Sequence, residues 1–371
     1  MPPMLLAAGM ASSLGGLIQG CAAFRAGLSR VSASRDVTCA CKGESGPQPV
    51  MVCEIPVATF GFSGVGRLVA LTCEVFKDLQ GNVRLTDLPP KTAFFVALPD
   101  PVTRGIPVEP PADKAEARRV EALGRYVLQQ SLQNLGLSMA GGEWRFFGGG
   151  HIAMARALSA ATEALAHRTI QTCIVMGIDS LVDPFLLREL LRERRIKTSE
   201  NPVGFIPGEF GAAFLLSAVP FMFSEPKTPR VLIRAVKLAE HPRPAAVPTP
   251  PPDGRALAEC VLSVLDAAGR AGGEPRFISD HNGEQKRAHE WGMLQLHLTS
   301  KGVGSQAHRS VWFPAVGFGE VGAATGAAGL CIALRSLQRG YSQSSSIILT
   351  MSEEAGGRAA MLVSVQDTSS K

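Results

Sequence analysis

Short continuous apolar runs, each separated from the next by a stretch with helical spacing, constrain this chain more than any other feature. Thr92 to Leu98, Thr172 to Gly177 and Phe210 to Leu216 carry almost no polar alternation, so each reads as a strand buried on both faces. Helices on both sides of a sheet supply that burial, and the chain is expected to be α/β with a largely parallel sheet.

The order can be followed residue by residue. Met4 to Ala8 is a strand, followed by a Gly/Ser turn and a helix through Cys21 to Arg25 that Gly27 stops. A polar, Cys-containing loop over about 32 to 50 precedes a helix from Gly64 to Lys77. Pro99-Asp100-Pro101 ends the strand at Leu98. Ala115 to Asn134 is helical, Glu143 to Phe147 is a short strand, and a Gly turn then leads into a helix reaching about His167. After Thr172 to Gly177 come a helix from Phe185 to Arg195 and the strand Phe210 to Leu216. Residues 1–220 are therefore expected to form one half.

The second half, residues 228–371, restarts with the strand Arg230 to Val236. A proline-rich loop, Pro242 to Pro252, leads to a helix over Arg255 to Gly269 and a strand over Phe277 to Asp280. Gly322 to Arg339 is a Gly/Ala-rich helix, and Ile347 to Thr350 with Ala360 to Ser364 form a closing strand pair. The similar order of the halves predicts a structural duplication.

Composition narrows the function classes. At 371 residues the chain exceeds one typical domain, and 46% hydrophobic against 19% charged residues suits a large buried core. The net charge of +5 is dispersed, and only 22 residues are aromatic, which argues against a nucleic-acid surface. The denser run from Arg188 to Lys197 includes Glu189 and Glu193 and reads as a solvated helix face. Eight cysteines lack a disulfide framework and imply reduced thiols. Cys39-Ala40-Cys41, even with Cys21 and Cys53, lacks zinc spacing and a nearby His, so no metal is expected. Met4 to Ile18 is apolar but has no basic leading region and is broken by glycines, so it does not read as an export signal. No apolar run is long enough for a membrane helix. A cytoplasmic protein without a cofactor is expected.

Several local patterns together resemble the β-ketoacyl-acyl-carrier-protein synthases of the thiolase-like superfamily. Ala8 to Gly15 followed by Phe24-Arg25-Ala26-Gly27 is similar to the family opening, and Met176 to Leu181 to the strand end after the nucleophile helix. Gly204 to Ala212 resembles the segment GFxxGEGAG, and Gly319 to Gly329 the helix start that normally reads GHxxGAAG. The resemblance spans nearly the whole chain. It implies a duplicated α/β/α/β/α thiolase architecture with two mixed sheets and, commonly, a dimer formed through the strand beside the nucleophile helix, here Glu143 to Phe147. Trp144, Phe146 and Phe147 would leave exposed aromatics on a monomer unless they pack within the chain.

The same resemblance locates the family's chemistry and shows it altered. The family places a Cys thiolate at the head of a buried helix, where the dipole lowers its pKa. Two His, or His and Asn, stabilise the thioester oxyanion and assist proton transfer. At the matching helix head stand Gly148-Gly149-Gly150-His151, with no Cys between Cys73 and Cys173. The family's HGTGT segment matches Asp280-His281-Asn282-Gly283-Glu284 with Asn282 in the histidine's place. His281 is one residue early, and a one-residue slip in a strand turns the side chain to the other face. The His of GHxxGAAG falls on Glu320, which cannot act as an oxyanion donor unless its pKa is driven up strongly.

Gly150, His151, His281, Asn282 and Glu320 are therefore expected to line a vestigial pocket, and no catalytic residue is assigned. Gly208-Glu209 is expected to be a turn with a local ion pair. The resemblance implies a silent ketosynthase-like protein acting as an adaptor or chaperone, or as the inactive subunit of a dimer. Its partner would be a copy of itself, another ketosynthase-like chain or an effector protein. Ketosynthase-like accessory proteins are associated with type VI secretion effector operons. The adaptor role is preferred because the chain is short for a synthase subunit and Glu143-Trp144-Arg145 replaces a recognisable gating segment. The alternative is an acyl-transfer or hydrolytic enzyme built on His151, His281 and Glu320, or an acyl-binding protein with an open apolar tunnel beneath residue 150.

Overall fold

The computed structural model describes residues 2–89, 91–107, 115–138, 142–218, 229–239, 252–268, 274–303 and 311–366. Five strands of the large sheet belong to the first half: β1 (Met4–Ser12), β4 (Ala93–Ala97), β5 (Trp144–Phe147), β6 (Thr172–Ser180) and β7 (Glu209–Ser217). Five belong to the second: β8 (Val231–Ala239), β9 (Arg276–Ser279), β10 (Val311–Trp312), β11 (Ser346–Ser352) and β12 (Arg358–Val365). The strand order is β10-β9-β11-β12-β8-β1-β7-β6-β4-β5. Counted from its first strand, each half thus runs 3-2-4-5-1. In each, the third, second and fourth strands are parallel and the fifth and first antiparallel. In the sheet the two mixed halves join where Met4 and Leu5 of β1 face Leu232 and Val231 of β8.

The expected largely parallel sheet is therefore mixed. Apolar runs such as Phe210 to Leu216 reflect burial on both faces, and burial does not distinguish a parallel strand from a covered antiparallel one.

Helices fill the layers between and outside the halves. In chain order they are α1 (Leu17–Arg25), α2 (Pro56–Thr59), α3 (Gly64–Gln80), α4 (Glu116–Asn134), α5 (Ala153–Ala166), α6 (Pro184–Arg192), α7 (Arg255–Ala268), α8 (Gln285–Ser300), α9 (Ala315–Phe318) and α10 (Thr325–Gln338). The central layer is α5 with α10, whose small residues Ala153, Ala157, Ala161, Ala327 and Ala328 lie in one core with β-strand residues of both halves. Helices α3 and α4 cover the outer face of the first half through Leu71, Val75, Phe76, Leu123 and Val127. Helices α7 and α8 cover the second through Leu257, Val261, Val264, Leu294 and Leu298. The order is helix, sheet, helix, sheet, helix, which is the duplicated thiolase-like architecture.

Close approach explains one glycine in particular. A Cβ on Gly9 of β1 would stand 2.4 Å from the Leu79 nitrogen and 2.5 Å from the Val75 oxygen, both backbone atoms of α3. Backbone cannot turn aside as a side chain can, so this helix reaches its sheet only over glycine.

Two sequence expectations need correction. The polar loop over 32 to 50 is a hairpin, β2 (Ser32–Cys39) paired antiparallel with β3 (Gln48–Val52) as a separate sheet. Only Val37, Val50 and Val52 point into a core, where they meet Leu186, Leu190 and Phe205. So few apolar positions leave no alternation to read. Helix α8 was also not anticipated; its buried positions include Arg287 and Glu290, which disguise the apolar face. The proline-rich segment 242–251 lies outside the described residues.

Candidate functional site

The two central helices begin in the same way. Gly150 and Gly322 each adopt φ +52°, each opens a 3₁₀ turn (Gly150–Ile152 and Gly322–Ala324), and each turn runs into a 14-residue helix. A left-handed residue at this point turns the chain sharply from sheet to helix. The duplication thereby brings two helix N-termini, with their free N–H groups, to one place in the centre of the molecule.

Carboxylates occupy the head of α10. Glu320 Oε1 accepts from the Gly322 nitrogen at 2.8 Å, and Asp179 Oδ2 accepts from the Ala323 nitrogen at 2.8 Å. Asp179, at the end of β6, is fully buried and pairs with the Arg104 guanidinium at 2.9 and 2.6 Å. At the head of α5 the Gly149 nitrogen donates to Glu116 Oε1 at 2.9 Å. Gly150 carries no side chain, and a Cβ there would stand 2.1 Å from Glu353 Oε2. The position that the family resemblance gives to a nucleophile is faced by a carboxylate.

His151 links the two halves. It is 7% exposed, and its Nδ1 lies 3.0 Å from Asp280 Oδ2 while its Nε2 lies 2.7 Å from Glu320 Oε1. Both partners are acceptors, so both ring nitrogens carry protons and the ring is an imidazolium. Arg287 Nη1 donates to Asp280 Oδ2 at 2.7 Å, and its Nη2 stands 3.4 Å from His151 Nε2. The Asn282 amide donates to Glu320 Oε2 at 2.6 Å. Arg195 forks onto Glu284 at 2.8 and 3.0 Å and reaches Glu354 at 2.9 Å, with Lys286 also paired to Glu354.

These contacts set the protonation states. Burial pushes the His151 pKa down and Arg287 pushes the same way, but the Glu320 charge and the hydrogen bonds to Asp280 and Glu320 outweigh both and raise it to about 9. Burial alone would raise Glu320, yet His151, Arg287 and Asn282 hold it well below the usual carboxylate range. Asp280 is lowered against its own burial by Arg287 and His151. Glu320 is therefore ionised at neutral pH and has no proton to donate to an oxyanion. A carboxyl group, Glu353, stands where a thiolate would need the helix dipole, and an anion, Glu320, stands where the family resemblance requires a donor.

Of the residues singled out in the sequence, Gly150, His151, Asn282 and Glu320 come together and His281 does not. Asp280 and Asn282 face the cluster, and His281 between them turns away, as alternation along extended chain dictates. Its ring packs edge-on against Phe313, 5.4 Å between centroids, and its pKa is lowered, by burial first. A constellation of His151, His281 and Glu320 therefore does not form. Glu209 is not in a local ion pair. It is fully buried, bonded to Arg67 at 3.0 Å across 142 residues, and it accepts from the Ile55 nitrogen, Thr59 and Ser180.

Sequence reasoning missed Asp280, Arg287, Glu353 and Arg195 as members of the site. Asp280 stands inside the quoted segment, and a carboxylate two residues before Asn282 was its only signal. In front of Gly150 lies a cleft of about 440 Å³. Arg104, Arg156, Arg195, Glu353 and Glu354 supply charge to its lining, and Leu181, Leu186, Leu190 and Phe205 form an apolar wall. Among the described residues no group of three or more His, Cys, Asp or Glu is placed to hold a metal ion, and no helix is long and apolar enough to cross a membrane.

The fold is that of the ketosynthases, within the thiolase-like class. The chain matches a structure described as the ishigamide ketosynthase/chain length factor with a TM-score of 0.69 at 16% identity, covering 99% of this chain and 100% of the other. It matches a β-ketoacyl synthase from Burkholderia phymatum with a TM-score of 0.70 at 11% identity, covering 99% and 100%. A third match is a ketosynthase in complex with its chain length factor from Xenorhabdus doucetiae, with a TM-score of 0.65 at 12% identity and 98% of each chain. No family model and no curated protein matches the sequence. At full coverage of both chains, length does not set this protein apart from a synthase subunit.

Proposed function

We propose that this protein is a catalytically silent ketosynthase-fold subunit that acts by association with another protein. The observation that carries the reading is the head of α5. Gly150 has no nucleophile, Glu353 faces the space a side chain would need, and the ionised Glu320 replaces an oxyanion donor. An acyl-binding role finds less support, because charged side chains, Glu353 first among them, stand in the cleft before Gly150.

The neighbours that include ketosynthase and chain length factor pairs favour a ketosynthase-like partner over a type VI secretion effector. The partner surface is the free edge of β5, the last strand in the order. Its aromatics do not demand a partner by themselves: Trp144 packs edge-on to Phe94, and Phe147 stacks on Phe95. Among the described residues β5 pairs on one side only, with β4, and a second β5 or an equivalent strand would satisfy the other side.

The test is capture of the protein from its own cells, with mass spectrometry of bound proteins and of the intact chain. A stoichiometric ketosynthase-like partner and an unmodified chain support the proposal; a stoichiometric effector places it in the adaptor role instead. An acyl group attached to the chain, or carbon dioxide released from a malonyl thioester by the purified protein, overturns the silent reading.

A further inference from the structure

We infer that Cys39 and Cys41 form a reversible dithiol–disulfide site on the β2–β3 hairpin. Their sulfurs lie 3.5 Å apart and both residues are partly exposed. Cys39 is the last residue of β2, paired with Gln48, and Cys41 follows as the chain leaves the strand for the turn closed by the Glu44 nitrogen on the Cys41 oxygen. Side chains two residues apart in extended chain share a face. An S–S bond of about 2.0 Å needs the sulfurs to close by roughly 1.5 Å, a shift that a turn residue can absorb.

The two thiols are not equivalent. The two thiols share one hydrogen bond, and the Cys41 pKa is lowered, by Ser199 first and then by Cys39. Cys39 is raised, by burial first and then by Cys41. Cys41, beyond the end of the strand, is placed to attack, and Cys39, held in β2 by its pairing with Gln48, to resolve. The remaining cysteines differ: Cys21, Cys53, Cys173, Cys260 and Cys331 are buried, and Cys73 is half-buried with a pKa raised by burial.

The co-reactant is a low-molecular-weight disulfide such as oxidised glutathione. The Cys41 thiolate attacks one of its sulfurs, forms a mixed disulfide and releases one thiolate. The Cys39 sulfur, losing its proton, then attacks Cys41 Sγ and expels the second thiolate. Two electrons pass from the protein thiols to the reagent, which leaves as two thiols carrying the two protons. An external dithiol reverses the sequence.

The hairpin is tied to the 198–201 turn by the Lys42 nitrogen on Glu200, next to Cys41. The same hairpin backs Leu186, Leu190 and Phe205, which wall the cleft. Oxidation draws Cys41 toward Cys39 at the point where hairpin and turn meet.

The site can be read directly, because Arg35 and Lys42 place both cysteines on one tryptic peptide. The native full-length protein is treated with oxidised glutathione, the remaining thiols are alkylated, and the peptide is weighed. The expected result is a peptide two hydrogens lighter, restored by dithiothreitol. Cys39→Ser is expected to stop at a glutathione adduct on Cys41, and Cys41→Ser to react at Cys39 more slowly than Cys39→Ser does at Cys41. Separate adducts on both cysteines, faster reaction at Cys73, or no reaction while the protein stays folded would each overturn the inference.

Discussion

Raising the pH withdraws the proton that lets His151 stand between Asp280 and Glu320, and the cost can be worked from the structure. The folded pKa is about 9 against about 6.5 in unfolded chain, and at 1.36 kcal/mol per unit the difference is about 3 kcal/mol. Because the folded value is the higher one, this contribution is fully present below pH 6.5 and is lost as pH rises through 9. For 371 residues at about 2.1 cal/mol/K each, the unfolding entropy is roughly 0.8 kcal/mol/K, so the loss is about 4 °C in Tm. The assay is thermal unfolding of the wild type and His151→Gln between pH 5.5 and 10. Glutamine does not titrate, so the effects of groups that do not touch His151 cancel in the difference between the two proteins. The wild-type advantage should shrink by about 4 °C across this range. A gap that stays constant would refute the reasoning, since His151 would then bind the same number of protons folded and unfolded.

Three further outcomes follow from the same contacts. Glu320→Gln leaves the imidazolium with one carboxylate fewer in a buried site and should cost about 3 kcal/mol in urea unfolding. Gly150→Cys should give a chain without condensation activity, because neither Asn282 nor the ionised Glu320 supplies an imidazole; in Gly150→Cys with Glu353→Ala, removal of the facing carboxylate should speed alkylation of the new thiol at least tenfold. Gly9→Ala, whose Cβ meets the α3 backbone, should destabilise by about 2 to 3 kcal/mol by chemical denaturation, whereas Gly43→Ala, with open space around it, tests only the φ +83° strain and should cost about 1 to 2 kcal/mol.

Much of the architecture was legible because burial writes itself into composition over short windows. The runs at Thr92 to Leu98, Thr172 to Gly177 and Phe210 to Leu216 sit within or around β4, β6 and β7, and Ala115 to Asn134 is α4 but for its first residue. The hairpin β2–β3 and helix α8 escaped for the converse reason, since polar and charged residues fill faces that elsewhere would alternate or repeat. Strand direction was not legible either, because covered parallel and antiparallel strands have the same apolar composition.

The sequence by itself determined that no thiol stands at the head of α5, that a carboxylate, Glu320, precedes α10, and that Gly150 and Gly322 can both take the left-handed turn. The tertiary structure decided what those changes mean. His151 meets Asp280 across 129 residues and Glu320 across 169, and Arg287 and Glu353 join them from segments with no motif to announce them. Charges attract or repel according to distance and burial, and neither is a local property of the chain. Only the folding of the two halves around α5 and α10 turns isolated polar residues into one neutralised buried cluster.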